Sequence, residues 1–551
     1  MNNAVPETVP QRRIPNEMKT FIDYLISFVT LLFTLYDYIT HTLFYLMYTG
    51  CERWGLESLS QKVPPIADML LLDSASQIAY KIRTRKLKCE HVMESFISRI
   101  EQINPVLNCV VAERFQQARA EAKKVDELLD SKAVPLDVLA KDKPFLGVPF
   151  TTKDGIALKG LIYSAGLVAR KKTKAEEDAV TVRNLRNAGA IPIALTNISE
   201  LCMWWESYNN VHGRTRNPYD TCRIVGGSSG GEGCVQAAAG SAFGLGSDIG
   251  GSIRMPALFN GVFGHKPSPS MVSIVGQFPS PTCEELQSFL GLGPMCRHAE
   301  DLAPLLKVLA GDKAAELRLD ETVDVKDINI FYQEDDAGSL YVSPVNKEIR
   351  ALFKKVSTYF EKAHKKSMKK LELKDFRRST QIWLACMKTA NGPSFQQQLA
   401  NLEGDMNLPL ELAKWCIRCS NHTFIALCTA ITENSGVKYG GEEHTRLLQF
   451  RDHLKKELLD ILGDNGVLIY PTHPTVAPYH NEPIMKPFNF SYTGIINVLG
   501  LPATHIPMGL NSEGLPMGLQ VIAAPKNDRL CLAMAIEFEK AFGGWVPLEV
   551  E

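Results

Sequence analysis

The chain has 551 residues, of which 45% are hydrophobic, and its 60 basic and 61 acidic side chains leave a net charge of −1. This length supports a large buried core, and the balanced charge excludes a general electrostatic attraction to nucleic acid. The thirteen cysteines are odd in number and scattered, which favours reduced thiols over a disulfide scaffold.

The N-terminal segment is predicted to be a membrane anchor. Residues 1–19 form a polar tail, and the following hydrophobic run over 20–48 exceeds the roughly 20 residues that cross a bilayer. It has no small-residue cleavage site, so an uncleaved anchor is favoured over a signal peptide. The polar residues within it recur at steps of three and four and share one face of a helix: Asp23, Ser27, Thr30, Thr34, Asp37 and His41.

Two membrane arrangements of this helix stay open, beside the plain alternative of a buried helix in a soluble protein. A single-pass helix would shield its costly carboxylates by pairing the polar stripe with that of a second copy, giving a homodimer. A helix in the membrane interface would turn the stripe to water. Basic residues before the helix favour a lumenal catalytic domain, whereas reduced cysteines favour the other side. We therefore expect an intracellular membrane and leave the side open.

The remainder is predicted to be a linker over 49–66 and a catalytic domain over 67–551. Apolar residues recur at helical steps from 67 to 130, and residues 145–152 and 190–196 are typical of buried strands that flank a helix over 176–187. Residues 312–375 show less pattern, 376–460 are mainly helical, and 467–470 form a strand. Residues 489–509 and 515–525 return to strand and turn. Alternating strands and helices predict an α/β fold with helices on both faces of the sheet.

The stretch from Val225 to Lys266 contains two serines, Ser228 and Ser252, in separate glycine runs. Glycine lets the backbone turn tightly and bring its N–H groups to a ligand, and such groups can stabilise an oxyanion. Three other interpretations are a flexible loop, a phosphate cradle, whose GxxxxGK[ST] string is absent, and a GxSxG nucleophile elbow over 226–230. The elbow would make Ser228 an esterase nucleophile and needs a histidine base, for which His265, His473 and His505 are available.

These motifs resemble the amidase signature family. The strings GGSSGGEG and DIGGSIR, the 24 positions between the two serines, and the apolar string from Leu146 to Asp154 that ends in Lys-Asp carry the resemblance, which extends over about 67–546. It implies an amidase-signature fold with a central mixed β-sheet, helices on both faces, and no cofactor. The lone Cys416-x-x-Cys419 pair has no partner pair, so no metal site is expected either.

The resemblance also implies roles for individual residues. Neutral Lys153, whose pKa burial would lower, takes a proton from Ser228, and Ser228 takes one from Ser252, which attacks the amide carbon and carries the acyl group. The proton returns through Ser228 to the leaving amine. The peptide before Ser228 is expected to be cis, and Arg254 to pair with Asp248. Backbone groups are expected to line the site at Cys202, Ile249, Gly250, Gly251 and Ser252.

The predicted function is membrane-associated hydrolysis of fatty-acid amides, namely primary amides and N-acylethanolamines, as in the fatty-acid amide hydrolases of this family. The substrate would be a lipid amide, and no nucleic-acid partner is expected. Two further hypotheses remain. One is the glutaminase subunit of a tRNA-dependent amidotransferase, which would need a soluble partner complex. The other is an inactive membrane scaffold.

Overall fold

The structure is a computed structural model that describes residues 16–53, 60–281, 283–388, 392–433 and 435–551. Most of the predicted polar tail, 1–15, and part of the predicted linker, 54–59, lie outside the described residues.

One large sheet organises the chain. Its eleven strands run in the order β1-β3-β2-β6-β8-β7-β12-β13-β11-β9-β10, and β4 and β5 form a separate hairpin. The strands are β1 Val110–Glu113, β2 Pro149–Lys153, β3 Ile191–Thr196, β4 Tyr208–Asn209, β5 Gly213–Arg214, β6 Phe243–Asp248, β7 Phe263–Lys266, β8 Gly291–Cys296, β9 Asn329–Tyr332, β10 Lys369–Lys370, β11 Gly466–Pro471, β12 Ala503–Leu510 and β13 Pro516–Ala523.

Helices cover this sheet. Their bounds are α1 Asn16–Arg53, α2 Ala75–Arg83, α3 Cys89–Leu107, α4 Phe115–Ser131, α5 Leu136–Asp142, α6 Val180–Asn187, α7 Gly230–Ala237, α8 Arg254–Asn260, α9 Glu284–Phe289, α10 Leu302–Ala310, α11 Lys347–His364, α12 Ser379–Cys386, α13 Phe395–Leu399, α14 Leu408–Cys416, α15 Phe424–Thr432, α16 Glu442–Leu462, α17 Ser491–Val498 and α18 Asp528–Phe542. The strands β3, β6 and β11 are buried at every residue, so both faces of the sheet are covered there.

The sheet is mixed, as expected, and its parallel part positions the glycine–serine stretch. Strands β3, β2 and β6 are neighbours and parallel. The carboxyl ends of parallel strands meet at one edge of a sheet, where ligands of open α/β folds bind. Lys153 ends β2, and the loop that carries Ser252 follows the end of β6. Ser228 lies two residues before α7, which packs on β2, β3 and β6.

Three local predictions were wrong. The helical region predicted over 67–130 contains strand β1, because Val110–Glu113 pairs antiparallel with β3. The weakly patterned region 312–375 contains the 18-residue helix α11, capped by the Asn346 side chain. Residues 491–498 form helix α17 rather than a strand. Every residue of it is buried, so its polar side chains face other parts of the protein and do not mark a solvent-exposed side.

Helix α1 is longer than the predicted anchor and begins and ends outside 20–48. Among the residues that the structure describes, no helix has both the length and the hydrophobicity needed to cross a membrane.

The polar stripe of α1 contacts the chain's own later residues. Asp37 lies 2.8 Å from the Lys486 ammonium, and His41 lies 3.3 Å from the Glu482 carboxylate. The Ser343 hydroxyl donates to Asp37 at 2.7 Å. At Asp37 and His41 the stripe therefore contacts this chain itself, and the seam between two copies stays a prediction.

Candidate active site

Lys153 is fully buried at the end of β2 and faces three serine hydroxyls. Its Nζ lies 2.8 Å from Ser228 Oγ, 2.9 Å from Ser247 Oγ and 3.2 Å from Ser229 Oγ. A neutral amine has two N–H donors and one lone pair, so it can accept from one hydroxyl and donate to the other two. An ammonium can donate to all three hydroxyls, so these contacts fit both protonation states of the lysine.

Burial lowers the pKa of Lys153, since the charged form loses its hydration. The negative charges that oppose this effect are those of Cys202, Asp248 and Glu232, each of which would raise the lysine pKa when ionised. Burial outweighs them, and the amine is shifted toward the state in which it can accept a proton.

Ser228 lies at the start of the segment that leads into α7. The Gly227–Ser228 peptide is cis, which confirms the expectation from the resemblance. Backbone hydrogen bonding joins this segment to the second serine, because the Ser229 N–H donates to the Ser252 carbonyl at 3.1 Å. Among the described residues, the structure has no hydrogen bond between the hydroxyls of Ser228 and Ser252. Hydrogen bonds of this kind are often long in an unliganded site and shorten when substrate binds.

The loop before Ser252 is held from several sides. Arg254 pairs with Asp248 at 3.0 Å, both fully buried, which confirms the predicted ion pair. Although burial raises the pKa of Asp248, the Arg254 guanidinium lowers it to about 2. The Gly251 N–H donates to the Asp248 carboxylate at 2.7 Å. A Cβ at Gly251, whose φ is +120°, would lie 2.0 Å from the Thr493 hydroxyl, so only glycine fits.

Two side chains hold the carbonyls of this loop by hydrogen bonds. The Trp383 indole N–H donates to the Ile249 carbonyl at 3.1 Å, and the Thr493 hydroxyl donates to the Gly250 carbonyl at 2.8 Å. Of the four predicted oxyanion donors, Gly251 already donates to Asp248. The N–H groups of Ile249, Gly250 and Ser252 have no acceptor in the described part of the chain.

Cys202 ends a 3-10 helix over Glu200–Cys202 and has a φ of +58°. It is half-buried and close enough to Lys153 to act on its pKa, so the structure brings this predicted residue to the same site.

The three histidines that the nucleophile-elbow interpretation required lie elsewhere. His265 bonds Thr504 and Asp528 at 2.8 and 3.1 Å. Burial lowers the pKa of His473 and of His505 to about 3. In the described residues none of the three contacts Ser228, whose side-chain partner is Lys153.

The described residues contain no group of three or more His, Cys, Asp or Glu that could hold a metal ion. Cys416 and Cys419, the lone CxxC pair, are both exposed.

Sequence reasoning missed five residues of this site: Ser229, Glu232, Ser247, Trp383 and Thr493. Two of them, Ser229 and Glu232, stand inside the GGSSGGEG string, so their position beside Ser228 was a usable signal. Ser247, at the end of β6, directly precedes the DIGGSIR string, whereas Trp383 on α12 and Thr493 on α17 carry no local motif.

Comparison with known proteins agrees with this geometry. The Amidase family model matches residues 91–532. Fatty-acid amide hydrolase 2 of Homo sapiens is 47% identical over 89% of this chain and 93% of its own length, and fatty-acid amide hydrolase 2-A of Danio rerio is 44% identical over 90% and 92%. A solved structure of a fatty acid amide hydrolase shares the fold, with a TM-score of 0.67 at 23% identity over 86% of each chain.

More distant relatives include a glutamyl-tRNA(Gln) amidotransferase subunit from Exiguobacterium sp., at 29% identity over 82% of this chain and 94% of its own length. The family match spans most of the chain, as do the relatives above 40% identity. The chain therefore belongs to the amidase family of amide-hydrolysing enzymes.

Proposed function

We propose that this enzyme is a membrane-associated serine amidase that hydrolyses fatty-acid amides through an acyl-enzyme on Ser252. The observation that carries the proposal is the fully buried Lys153, whose Nζ lies 2.8 Å from the Ser228 hydroxyl and whose pKa burial lowers. An amide is a poor electrophile, so its hydrolysis requires an activated nucleophile, a site for the oxyanion and a proton for the departing nitrogen.

The relay begins at the lysine. Neutral Lys153 accepts the proton of Ser228, whose oxygen accepts the proton of Ser252 as the Ser252 oxygen forms its bond to the amide carbon. In the tetrahedral intermediate the negative charge lies on the former carbonyl oxygen. The free N–H groups of Ile249, Gly250 and Ser252 stabilise that charge more than they stabilise the neutral substrate.

Collapse of the intermediate breaks the carbon–nitrogen bond. The proton held by Lys153 passes back through Ser228 to the amine, which leaves as ammonia or ethanolamine. Water then attacks the ester on Ser252, assisted by the same relay, and releases the fatty acid. On this mechanism Gly251 acts through its backbone shape, since its N–H already serves Asp248.

The lipid nature of the substrate is supported by the fatty-acid amide hydrolase 2 relatives above 40% identity. The amidotransferase relatives are less similar, at 29% identity, which makes a glutaminase the second candidate. Primary amides and N-acylethanolamines are the proposed substrates, and residues 67–551 the catalytic domain.

Helix α1 is the proposed membrane attachment, in the interfacial arrangement. Its stripe residues Asp37 and His41 face the protein. Among the side chains of α1 that the structure describes, eleven large apolar ones are more than a third exposed: Phe28, Leu31, Leu32, Leu35, Tyr36, Tyr38, Ile39, Leu43, Tyr45, Leu46 and Met47. An exposed apolar row of this extent is typical of a helix that lies in a lipid surface.

The activity is tested by mass spectrometry of a panel of lipid amides, with glutamine included, after incubation with the full chain. We expect release of fatty acid and no ammonia from glutamine. Ser252→Ala and Lys153→Ala should each be inactive and resist a fluorophosphonate probe. Turnover of glutamine alone, or labelling that survives Ser252→Ala, would reject the proposal.

The attachment is tested by flotation of the full chain with phospholipid vesicles. Replacing Leu31, Leu35 and Leu43 by Gln should abolish flotation, whereas the same change at the exposed Leu136 and Val138 of α5 should not. Release by alkaline carbonate would support the interfacial arrangement and resistance to it a spanning one. Sedimentation of the detergent-solubilised chain tests the homodimer expected from the sequence.

A further inference from the structure

Glu232 is a buried acid that the mechanism above does not use. It lies in the first turn of α7, four residues after Ser228, and is fully buried. Its two carboxylate oxygens accept from two threonine hydroxyls, Thr151 on β2 and Thr196 on β3, each at 2.8 Å. One side chain thus joins the helix that begins beside Ser228 to two neighbouring strands.

The two threonines lie beside Lys153 in the paired strands β2 and β3. Thr151 is two residues before Lys153 on β2, so the two side chains point to the same face of the strand. Thr196 is the register partner of Lys153 in the β2–β3 pair. The carboxylate therefore holds the two strands together on the face where the lysine projects toward the serines.

The fold leaves space for this carboxylate. Gly244 of β6 pairs with Thr151, and a Cβ at Gly244 would lie 1.7 Å from the nearer Glu232 oxygen. The neighbouring strand thus lacks a side chain where the acid enters, and any substitution there would displace it.

The carboxylate of Glu232 lies close enough to Lys153 for each group to act on the pKa of the other. No ion pair involves Glu232 in the described part of the chain, whereas Asp248, the other carboxylate that acts on Lys153, is paired with Arg254. Burial raises the pKa of Glu232 to about 7. Hydrogen bonds from Thr196, Thr151 and Gln236 oppose this rise, and so does the charge of Lys153. The remaining ionisable group that faces the lysine is Cys202, from the 3-10 helix.

We propose that Glu232 is a positioning residue for amide hydrolysis, which holds β2 and β3 beneath Lys153 and whose charge controls how readily the lysine releases its proton. This inference rests on the proposed role of Lys153 as the base. Ionised Glu232 favours protonated lysine, and neutral Glu232 favours the free amine.

The test is the pH dependence of kcat/KM for a lipid amide with the full chain. Glu232→Gln keeps the shape and removes the charge, so the lysine should stay neutral at lower pH. The acidic limb of the profile should move to lower pH, and the variant should keep a several-fold larger share of its own maximal rate below the wild-type midpoint.

A second variant keeps the inference testable if Glu232→Gln does not fold. Thr196→Val removes one donor to the carboxylate, which favours its neutral form, so the acidic limb should again move to lower pH. Asp301→Asn is the matched control, because Asp301 is another fully buried acid, bonded to Ser76 on α2, and should leave the profile in place.

An acidic limb that stays at the wild-type pH in both Glu232→Gln and Thr196→Val would overturn the inference. So would a limb that moves equally in Asp301→Asn. Failure of the proposed function looks different, because Lys153→Ala would then retain activity whatever the two variants do.

Discussion

The direction of the Gly250 N–H depends on a tryptophan that is distant in sequence. The Ile249–Gly250 peptide is trans, so its carbonyl and its N–H point in opposite directions within the peptide plane. The Trp383 indole holds that carbonyl at 3.1 Å, which turns the Gly250 N–H away from the tryptophan. We predict that Trp383→Phe lowers kcat while KM changes little, because the lost contact matters most when charge develops on the substrate oxygen.

The expected fall in kcat of Trp383→Phe lies between two bounds. Loss of one neutral hydrogen bond costs about 1 kcal/mol, which corresponds to roughly a fivefold fall in rate, since about 1.4 kcal/mol is tenfold. Complete loss of one oxyanion donor costs about 10²-fold or more. The phenyl ring can keep the packing against Phe490, whose ring centroid lies 4.7 Å from that of Trp383, so we expect about tenfold.

Steady-state hydrolysis of one lipid amide measures the effect, with thermal unfolding of each variant to exclude loss of fold. Trp415→Phe is the control, since Trp415 lies on α14 and is 40% exposed. If Trp383→Phe and Trp415→Phe have the same kcat, the indole N–H of Trp383 does not orient the loop, and the prediction is refuted.

Three further predictions follow from the buried charges and the nucleophile. Ser252→Ala should lower turnover by at least about 10³-fold, measured by fatty-acid release. Lys486 lies 2.8 Å from the carboxylates of both Asp37 and Glu482, so Lys486→Ala should cost about 3 kcal/mol of unfolding free energy in urea. Asp37→Asn, at a quarter-exposed carboxylate, should cost about 1 kcal/mol. The pair of Asp248 with Arg254 lowers the carboxylate pKa to about 2, so its stabilisation is present above pH of about 4 and lost as the pH falls through about 2. Thermal melts from acid to neutral pH should show a shallower acid limb for Asp248→Asn, and an unchanged limb would contradict this.

Much of the site could be predicted from the sequence because most of its residues lie in short, recognisable motifs. Each of three features goes with a characteristic local sequence: the cis peptide, the loop that only glycine fits, and the lysine at a strand end. The same locality explains the failures. Strand β1 exists only through its pairing with β3, and α17 is buried all round, so neither shows the pattern of its own class.

By itself the sequence determined the family, the α/β class and which residues are placed to react, since those depend on residue type and short spacing. Tertiary structure alone decided what surrounds them: Trp383 and Thr493 from distant helices orient the loop, Glu232 joins two strands beneath the lysine, and Lys486 and Glu482 meet the polar face of α1. Such contacts join residues far apart in the chain, and no local pattern records them, because the energy that selects them comes from burial in the folded core.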